Sequence, residues 1–172
     1  MDLPQTNSSA IFTSYGEFSV SAKKRNALIV DDYFLIRRNH KLLLEKIGFG
    51  VVEANDGFDG LSKIEKYGVG YFSLIIVDLM MPTMSGAEFI MKCKERYNNE
   101  SPEIMVCSSS SEVPLVKKIA ALGIAGYIVK PVDYKLLIER LMKMFPDMDP
   151  ESRRPASRDY DDDDDDDDDD EN

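Results

Sequence analysis

Five short apolar segments alternate with five amphipathic segments between residues 26 and 146. This alternation restricts the possible folds more than any other feature of the sequence. The apolar segments cover residues 27–30, 51–54, 74–77, 104–107 and 127–129. Their side chains are almost all apolar, with little of the polar alternation of a half-exposed strand, which is typical of strands covered on both faces. Strands that alternate with helices form parallel sheets with helices on both sides. We therefore predict an α/β fold with a doubly wound sheet of five parallel strands.

The charge of the chain is concentrated at its end. The formal net charge is -11, and residues 161–171 contain ten Asp and one Glu, so the remaining residues are balanced. We expect a disordered N-terminal arm over residues 1–25, one folded domain over 26–146 and a disordered acidic tail over 147–172. A neutral domain with an acidic tail lacks the basic surface that nucleic acids require, so we expect no nucleic-acid partner.

The composition also indicates where the protein is located. The N-terminus is polar and lacks the cationic and apolar segments of a secretion signal, and no apolar run approaches the ~20 residues of a membrane span. Cys93 and Cys107 are far apart in the sequence and have no metal-binding spacing. These features favour an intracellular protein with reduced thiols, in the cytoplasm or the nucleus, and without a membrane partner.

Candidate site residues follow four of the five predicted strands. Asp31 and Asp32 come after the first strand, Asp78 after the third, Ser108 after the fourth and Lys130 after the fifth. Ligands of parallel α/β sheets bind at the carboxyl ends of the strands, where these residues lie. We therefore expect three carboxylates, a hydroxyl and an amine to converge on one edge of the sheet.

A single Asp at a strand end is most often a helix N-cap, but three carboxylates in one place need another explanation. Clustered carboxylates repel one another and raise one another's proton affinity. A divalent cation relieves this repulsion, and oxygen-only ligands with room for water favour Mg²⁺. Lys130 would be a second partner for Asp78. A carboxylate beside a metal ion, a lysine and a hydroxyl can attack a phosphoryl donor and form an aspartyl phosphate.

These motifs resemble those of a known family. An Asp-Asp pair after strand one, D-x-x-M-P-x-x-x-G after strand three, a Ser followed by a small residue after strand four and K-P after strand five are similar to the receiver domain of two-component response regulators. The resemblance covers residues 26–146 and implies a flavodoxin-like (βα)5 receiver fold. It assigns the phosphoacceptor to Asp78. The Mg²⁺ ligands that it implies are Asp31, Asp32, Asp78 and the backbone carbonyl of Met80, with Asp32 the more direct ligand of the acidic pair.

The resemblance also assigns the residues of a conformational switch. It implies that Ser108 is the switch hydroxyl, Tyr127 the switch aromatic residue and Lys130 the lysine that contacts the phosphoryl group. Pro131 would follow a cis peptide bond, which only proline forms at low cost.

The function that the resemblance implies is signal transduction in a phosphorelay. The chain would be a stand-alone, chemotaxis-regulator-like response regulator, of the kind that also serves plant cytokinin signalling. It would take a phosphoryl group from a histidine phosphotransfer protein or a histidine kinase. It would then signal by phosphorylation-dependent protein contact or serve as a phosphate sink. Its only chemistry would be self-phosphotransfer and autodephosphorylation, so it would not be an enzyme.

Other functions fit the residues less well. A haloacid-dehalogenase-like phosphatase needs a second Asp two residues after Asp78, where this chain has Met80. A flavodoxin-like FMN-binding protein needs a phosphate loop after strand one, where Asp31 and Asp32 would repel the phosphate. A receiver-fold module that binds proteins without phosphorylation stays open as the alternative. The family often has a polar residue at the position of Met80, and an apolar one would shield an aspartyl phosphate from water. On the first helix, His40 is expected at the solvated surface.

Overall fold

The computed structural model describes residues 25–97, 102–109 and 113–148. The predicted N-terminal arm, except Arg25, and the predicted acidic tail, except Asp147 and Met148, lie outside the described residues. Arg25 forms an ion pair with Asp147, with 2.9 Å between Nη2 and Oδ1. Met148 is buried. These three residues therefore belong to the packed unit.

Five parallel strands and five α-helices alternate along the described part of the chain, which confirms the predicted fold. The strands are β1 (Asn26–Val30), β2 (Gly50–Ala54), β3 (Leu74–Val77), β4 (Glu103–Ser108) and β5 (Gly126–Val129). The helices are α1 (Phe34–Lys46), α2 (Gly57–Tyr67), α3 (Gly86–Tyr97), α4 (Val113–Ala120) and α5 (Tyr134–Met144). The strand order is β2-β1-β3-β4-β5, and every neighbouring pair is parallel.

The sheet is covered on both faces, which explains why its strands are apolar. Leu44 of α1 and Leu137 of α5 belong to the buried cluster on one face. Ile64 of α2, Phe89 of α3 and Ile119 of α4 belong to the cluster on the other face. All four residues of β3 are buried between these two layers. Full burial of each such side chain stabilises the fold by about 1.5–3 kcal/mol, before the cost of ordering the chain is subtracted.

Capping side chains fix where two of the helices begin. The Asp56 side chain accepts a hydrogen bond from the amide of Asp59, so α2 begins at Gly57. The Asp133 side chain accepts from the amides of Lys135 and Leu136 at the start of α5. Among the described helices, none has the length and apolar character needed to cross a membrane.

Candidate functional site

The sheet brings two of the predicted carboxylates together at its carboxyl edge. The amide of Asp78 donates to the carbonyl oxygen of Val30 at 2.9 Å, and the amide of Asp31 donates to that of Ala54 at 3.3 Å. These bonds continue the strand ladders by one residue, so Asp31 and Asp78 lie side by side beyond β1 and β3. The strand order reverses between β1 and β3, and such a reversal is where ligands of doubly wound sheets bind.

Lys130 joins the two carboxylates. Its backbone amide donates to the carbonyl of Ser108 at 2.8 Å, which places the residue at the same edge. Its Nζ lies 2.8 Å from Oδ2 of Asp31 and 2.7 Å from Oδ2 of Asp78. Burial lowers the pKa of Lys130, but the hydrogen bonds to the two carboxylates outweigh it and the pKa is raised. Lys130 is therefore charged at neutral pH.

Each of the two buried carboxylates is also held by a backbone amide. Oδ1 of Asp31 accepts from the amide of Tyr33 at 2.8 Å, and Oδ1 of Asp78 accepts from the amide of Met80 at 3.2 Å. Burial raises the pKa of Asp31, and this effect exceeds the lowering by Lys130 and Tyr33. Burial therefore disfavours the ionised form of Asp31, and a further cation beside it would favour that form.

The remaining charge fits a divalent cation. Asp31, Asp32 and Asp78 each offer a carboxylate oxygen, and these oxygens all lie within 4.8 Å of one another. Lys130 balances only one of the three charges. An all-oxygen set of this kind suits Mg²⁺, and the exposed Asp32 leaves room for water ligands. Met80 lies two residues after Asp78 and is 59% exposed.

The two predicted switch residues contact each other. Ser108 ends β4 and is fully buried, while Tyr127 is half-buried on the adjacent β5. Burial raises the pKa of the Tyr127 hydroxyl, and a hydrogen bond with Ser108 partly opposes this effect. The expected cis peptide bond between Lys130 and Pro131 is present.

His40 is buried beneath this site, so its prediction as a solvated surface residue is wrong. Only 1% of the residue is exposed, and its ring packs edge-on against Tyr134 of α5 with 5.8 Å between centroids. Neither ring nitrogen has a hydrogen-bond partner among the described residues. The pKa of His40 is lowered to about 4, mainly by burial and to a smaller extent by the charge of nearby Lys130, while Asp78 partly opposes both effects.

This burial predicts an acid-dependent loss of stability. The folded pKa is below the unfolded value, so the unfolded chain binds more protons between about pH 6.5 and pH 4, and stability falls as the pH drops through this range. From pH 7 to pH 4.5 we expect the free energy of unfolding to fall about 2 kcal/mol more in the wild type than in His40→Leu. Urea unfolding at both pH values measures this difference. Because His40 is the only histidine, its imidazole proton resonances report the folded pKa directly, and a midpoint near 6.5 would contradict the prediction.

Sequence reasoning missed one further residue of the site. The Nη1 atom of Arg37, on α1, donates to the carbonyl oxygen of Asp31 at 2.7 Å. A basic residue in the first turns of a helix is ordinarily a solvated surface residue, so no sequence pattern indicated this contact. His40 was misplaced for a related reason, because a polar residue on an amphipathic helix is expected on its outer face.

Comparison with known proteins places these features in one family. Residues 27–142 match the family model of the response regulator receiver domain. The chain is 32% identical over 124 residues to the chemotaxis protein CheY-3 of Vibrio cholerae, covering 72% of this chain and 93% of that protein. The structure of the chemotaxis response regulator CheY4 of Vibrio cholerae is 30% identical, with a TM-score of 0.61 and coverage of 70% of this chain and 98% of that chain.

A third similar structure is a complex of CheX with CheY, BeF₃ and Mg²⁺ from Borrelia burgdorferi. The matched chain is 26% identical, has a TM-score of 0.65, and the match covers 70% of this chain and 89% of that chain.

Proposed function

Because this chain belongs to the response regulator receiver domain family, we propose that it is a phosphorelay protein that accepts a phosphoryl group on Asp78 from a phosphohistidine donor. The observation that carries the proposal is the bridge from Lys130 to both Asp31 and Asp78, with Asp32 beside them. The buried nucleophile, its neutralising cation and a set of metal-ligand oxygens thus occupy one edge of the sheet.

The proposed step is a displacement at phosphorus. A carboxylate oxygen of Asp78 forms a bond to phosphorus while the bond from phosphorus to the donor imidazole nitrogen breaks. The electron pair of that bond stays on the imidazole nitrogen, which takes up a proton. The Met80 amide orients the Asp78 carboxylate, and Lys130 neutralises charge that develops on the phosphoryl oxygens. Bound Mg²⁺, held by Asp31, Asp32, Asp78 and the Met80 carbonyl, would supply further positive charge to those oxygens.

The phosphodonor that we propose is a histidine phosphotransfer protein or a histidine kinase. Three consecutive apolar residues beside Asp32 are exposed: Tyr33 (58%), Phe34 (59%) and Leu35 (55%). Exposed apolar side chains around a reactive group are typical of a surface that a protein covers during transfer. The transfer would take place in the cytoplasm, and the phosphorylated chain would signal through protein contact or serve as a phosphate sink. The alternative, a binding module without phosphorylation, leaves the buried ionic cluster without a role.

The test of this function is direct labelling. The chain is incubated with a radiolabelled phosphohistidine phosphotransfer protein and Mg²⁺, and the products are separated and exposed to acid or base. We expect a label on this chain that is stable to acid and labile to base, as for an acyl phosphate, and that is lost when EDTA removes Mg²⁺. Acid-labile label would place the phosphoryl group on His40, and no transfer from any donor would favour the binding-module alternative.

We propose that Ser108 and Tyr127 convert phosphorylation into a change of shape. The phosphoryl group on Asp78 would compete for the Ser108 hydroxyl, which now shares a hydrogen bond with Tyr127. The Tyr127 ring would then reposition on a surface that also exposes Val129 and Leu136. A coupling of ~1–3 kcal/mol changes the affinity of a partner 5- to 150-fold.

This switch predicts that Ser108→Ala still accepts the phosphoryl group, but that phosphorylation changes its affinity for a partner only weakly. The beryllofluoride-treated chain is first used to isolate a partner protein. The wild type should then bind this partner several-fold more tightly with beryllofluoride than without. We expect this ratio to approach one in Ser108→Ala, because the phosphoryl mimic loses its hydroxyl partner. Binding is measured by isothermal titration calorimetry, with Ser62→Ala, a serine on α2, as the matched control. Equal ratios in wild type and Ser108→Ala would exclude this mechanism.

A further inference from the structure

Arg37 holds the backbone immediately before the exposed carboxylate of the site. Its Nη1 donates to the carbonyl oxygen of Asp31 at 2.7 Å, and this contact is partly buried. β1 has ended at Val30, one residue earlier. The bond therefore crosses from α1 back to the loop that carries the acidic pair.

The position of this bond matters because the peptide unit is planar. The carbonyl oxygen of Asp31 and the amide nitrogen of Asp32 belong to the same rigid plane. A donor that fixes the position of this oxygen therefore fixes the orientation of the whole peptide plane, and with it the direction of the backbone at Asp32. Arg37 thus acts on Asp32 through the backbone and does not contact its carboxylate.

Asp32 depends on its backbone more than the other two carboxylates do. Asp31 and Asp78 are each held by Lys130 and by one backbone amide. Over residues 25–97, 102–109 and 113–148, no hydrogen bond or ion pair to the Asp32 carboxylate is formed, and the residue is exposed. Its place in the set of oxygens within 4.8 Å of one another follows from the path of the main chain.

Arg37 is itself well anchored. Its backbone amide donates to the carbonyl of Tyr33 at 3.2 Å. Its guanidinium lies over the ring of Phe34, with 5.8 Å from Cζ to the ring centroid. The side chain is thus held on the first turn of α1 and supports the loop from one side.

We propose that Arg37 is a positioning residue for the Mg²⁺ site, an inference that rests on the function proposed above. By fixing the peptide between Asp31 and Asp32, it orients the Asp32 carboxylate toward the metal. Groups that orient metal ligands typically contribute 10- to 100-fold to metal affinity. We therefore expect Arg37→Ala to bind Mg²⁺ about tenfold more weakly than the wild type.

The sign of this effect separates positioning from simple charge. A cationic side chain near a metal site repels the metal, so an Arg37 that acted only through its charge would weaken Mg²⁺ binding. Its removal would then tighten binding. Weaker binding in Arg37→Ala is the result that only a positioning role produces.

The experiment is a Mg²⁺ titration of the full chain, followed by the amide resonances of Asp32 and Tyr33 in ¹⁵N-labelled protein. The variants are Arg37→Ala, Arg37→Lys and Asp32→Ala, and the matched control is Arg38→Ala, which removes the exposed adjacent arginine of α1. We expect wild-type affinity in Arg38→Ala, about tenfold weaker binding in Arg37→Ala, and partial recovery in Arg37→Lys, which keeps one donor group. Labelling of Arg37→Ala should return to the wild-type rate at saturating Mg²⁺.

The outcomes distinguish this inference from the proposed function. Wild-type or tighter Mg²⁺ binding in Arg37→Ala, with binding lost in Asp32→Ala, overturns the role of Arg37 and leaves the function intact. A wild type that binds no Mg²⁺, or an Asp32→Ala that binds as the wild type does, overturns the metal assignment itself. Thermal unfolding of each variant shows whether it is folded, and if Arg37→Ala is not, Arg37→Lys and Arg37→Gln carry the comparison.

Discussion

The Asp78→Asn variant should accept no phosphoryl label under conditions that label the wild type fully. The amide of an asparagine has no negative oxygen to attack phosphorus, and neither Asp31 nor Asp32 replaces it. Asp31 is 2% exposed and held by Lys130 and Tyr33, whereas Asp32 lies at the outer side of the cluster. We expect at least a loss of about a hundredfold in labelling, a factor that corresponds to about 3 kcal/mol of barrier.

The folded structure should survive this substitution. The side-chain carbonyl oxygen of the introduced asparagine can still accept the hydrogen bond from the Met80 amide. The lost bond to Lys130 is offset in part, because the variant side chain no longer repels Asp31. The matched control is Asp56→Asn, which changes a carboxylate at the N-cap of α2, where asparagine caps as well as aspartate. Circular dichroism shows whether both variants are folded, and the amount of label shows whether they accept the phosphoryl group. Undiminished labelling of Asp78→Asn would contradict the assignment of Asp78 as the phosphoacceptor.

The order and type of the elements could be predicted because buried parallel strands leave a clear pattern. β3 has the bounds expected from the apolar run at 74–77. The helix termini were less predictable, because a cap depends on the geometry of a few atoms. Asp56 caps α2 one residue before Gly57. The Asp56-Gly57 pair, which is typical of a turn, therefore lies at the start of a helix. Sequence alone does not distinguish a turn from a capped helix start at such a pair.

The convergence of Asp31, Asp78 and Lys130 could also be predicted, because parallel strands end at one edge of the sheet. The particular contacts that these side chains form could not be predicted. Lys130 binds Asp31 as closely as it binds Asp78, which depends on where β5 ends relative to β1 and β3. The burial of His40 depends on how α1 packs against α5, and the contact of Arg37 depends on the path of the loop. Both are tertiary features that a single sequence does not encode in a local pattern.

The loop after β3 adds a constraint that applies to both the fold and the site. The amide of Gly86, the first residue of α3, donates to the carbonyl of Leu79 at 3.0 Å, so the helix begins directly against the loop that follows Asp78. A Cβ atom built on Gly86 would lie 2.1 Å from the carbonyl oxygen of Asp78 and 2.8 Å from Cα of Leu79. Both atoms belong to the backbone, which cannot move aside as a flexible side chain can.

Gly86→Ala should therefore destabilise the fold by about 3 kcal/mol, at the upper end of the cost of overpacking. To admit the methyl group, either α3 must move away from β3 or the Asp78 peptide must shift, so labelling should also fall in the molecules that stay folded. Urea unfolding measures the first effect, and the labelling rate per folded molecule measures the second. Gly70→Ala is the matched control, because a Cβ there meets no atom within 4 Å, and its stability should stay within about 0.5 kcal/mol of the wild type. If the two variants were equally stable, the close approach of α3 to Asp78 would not be a requirement of the fold.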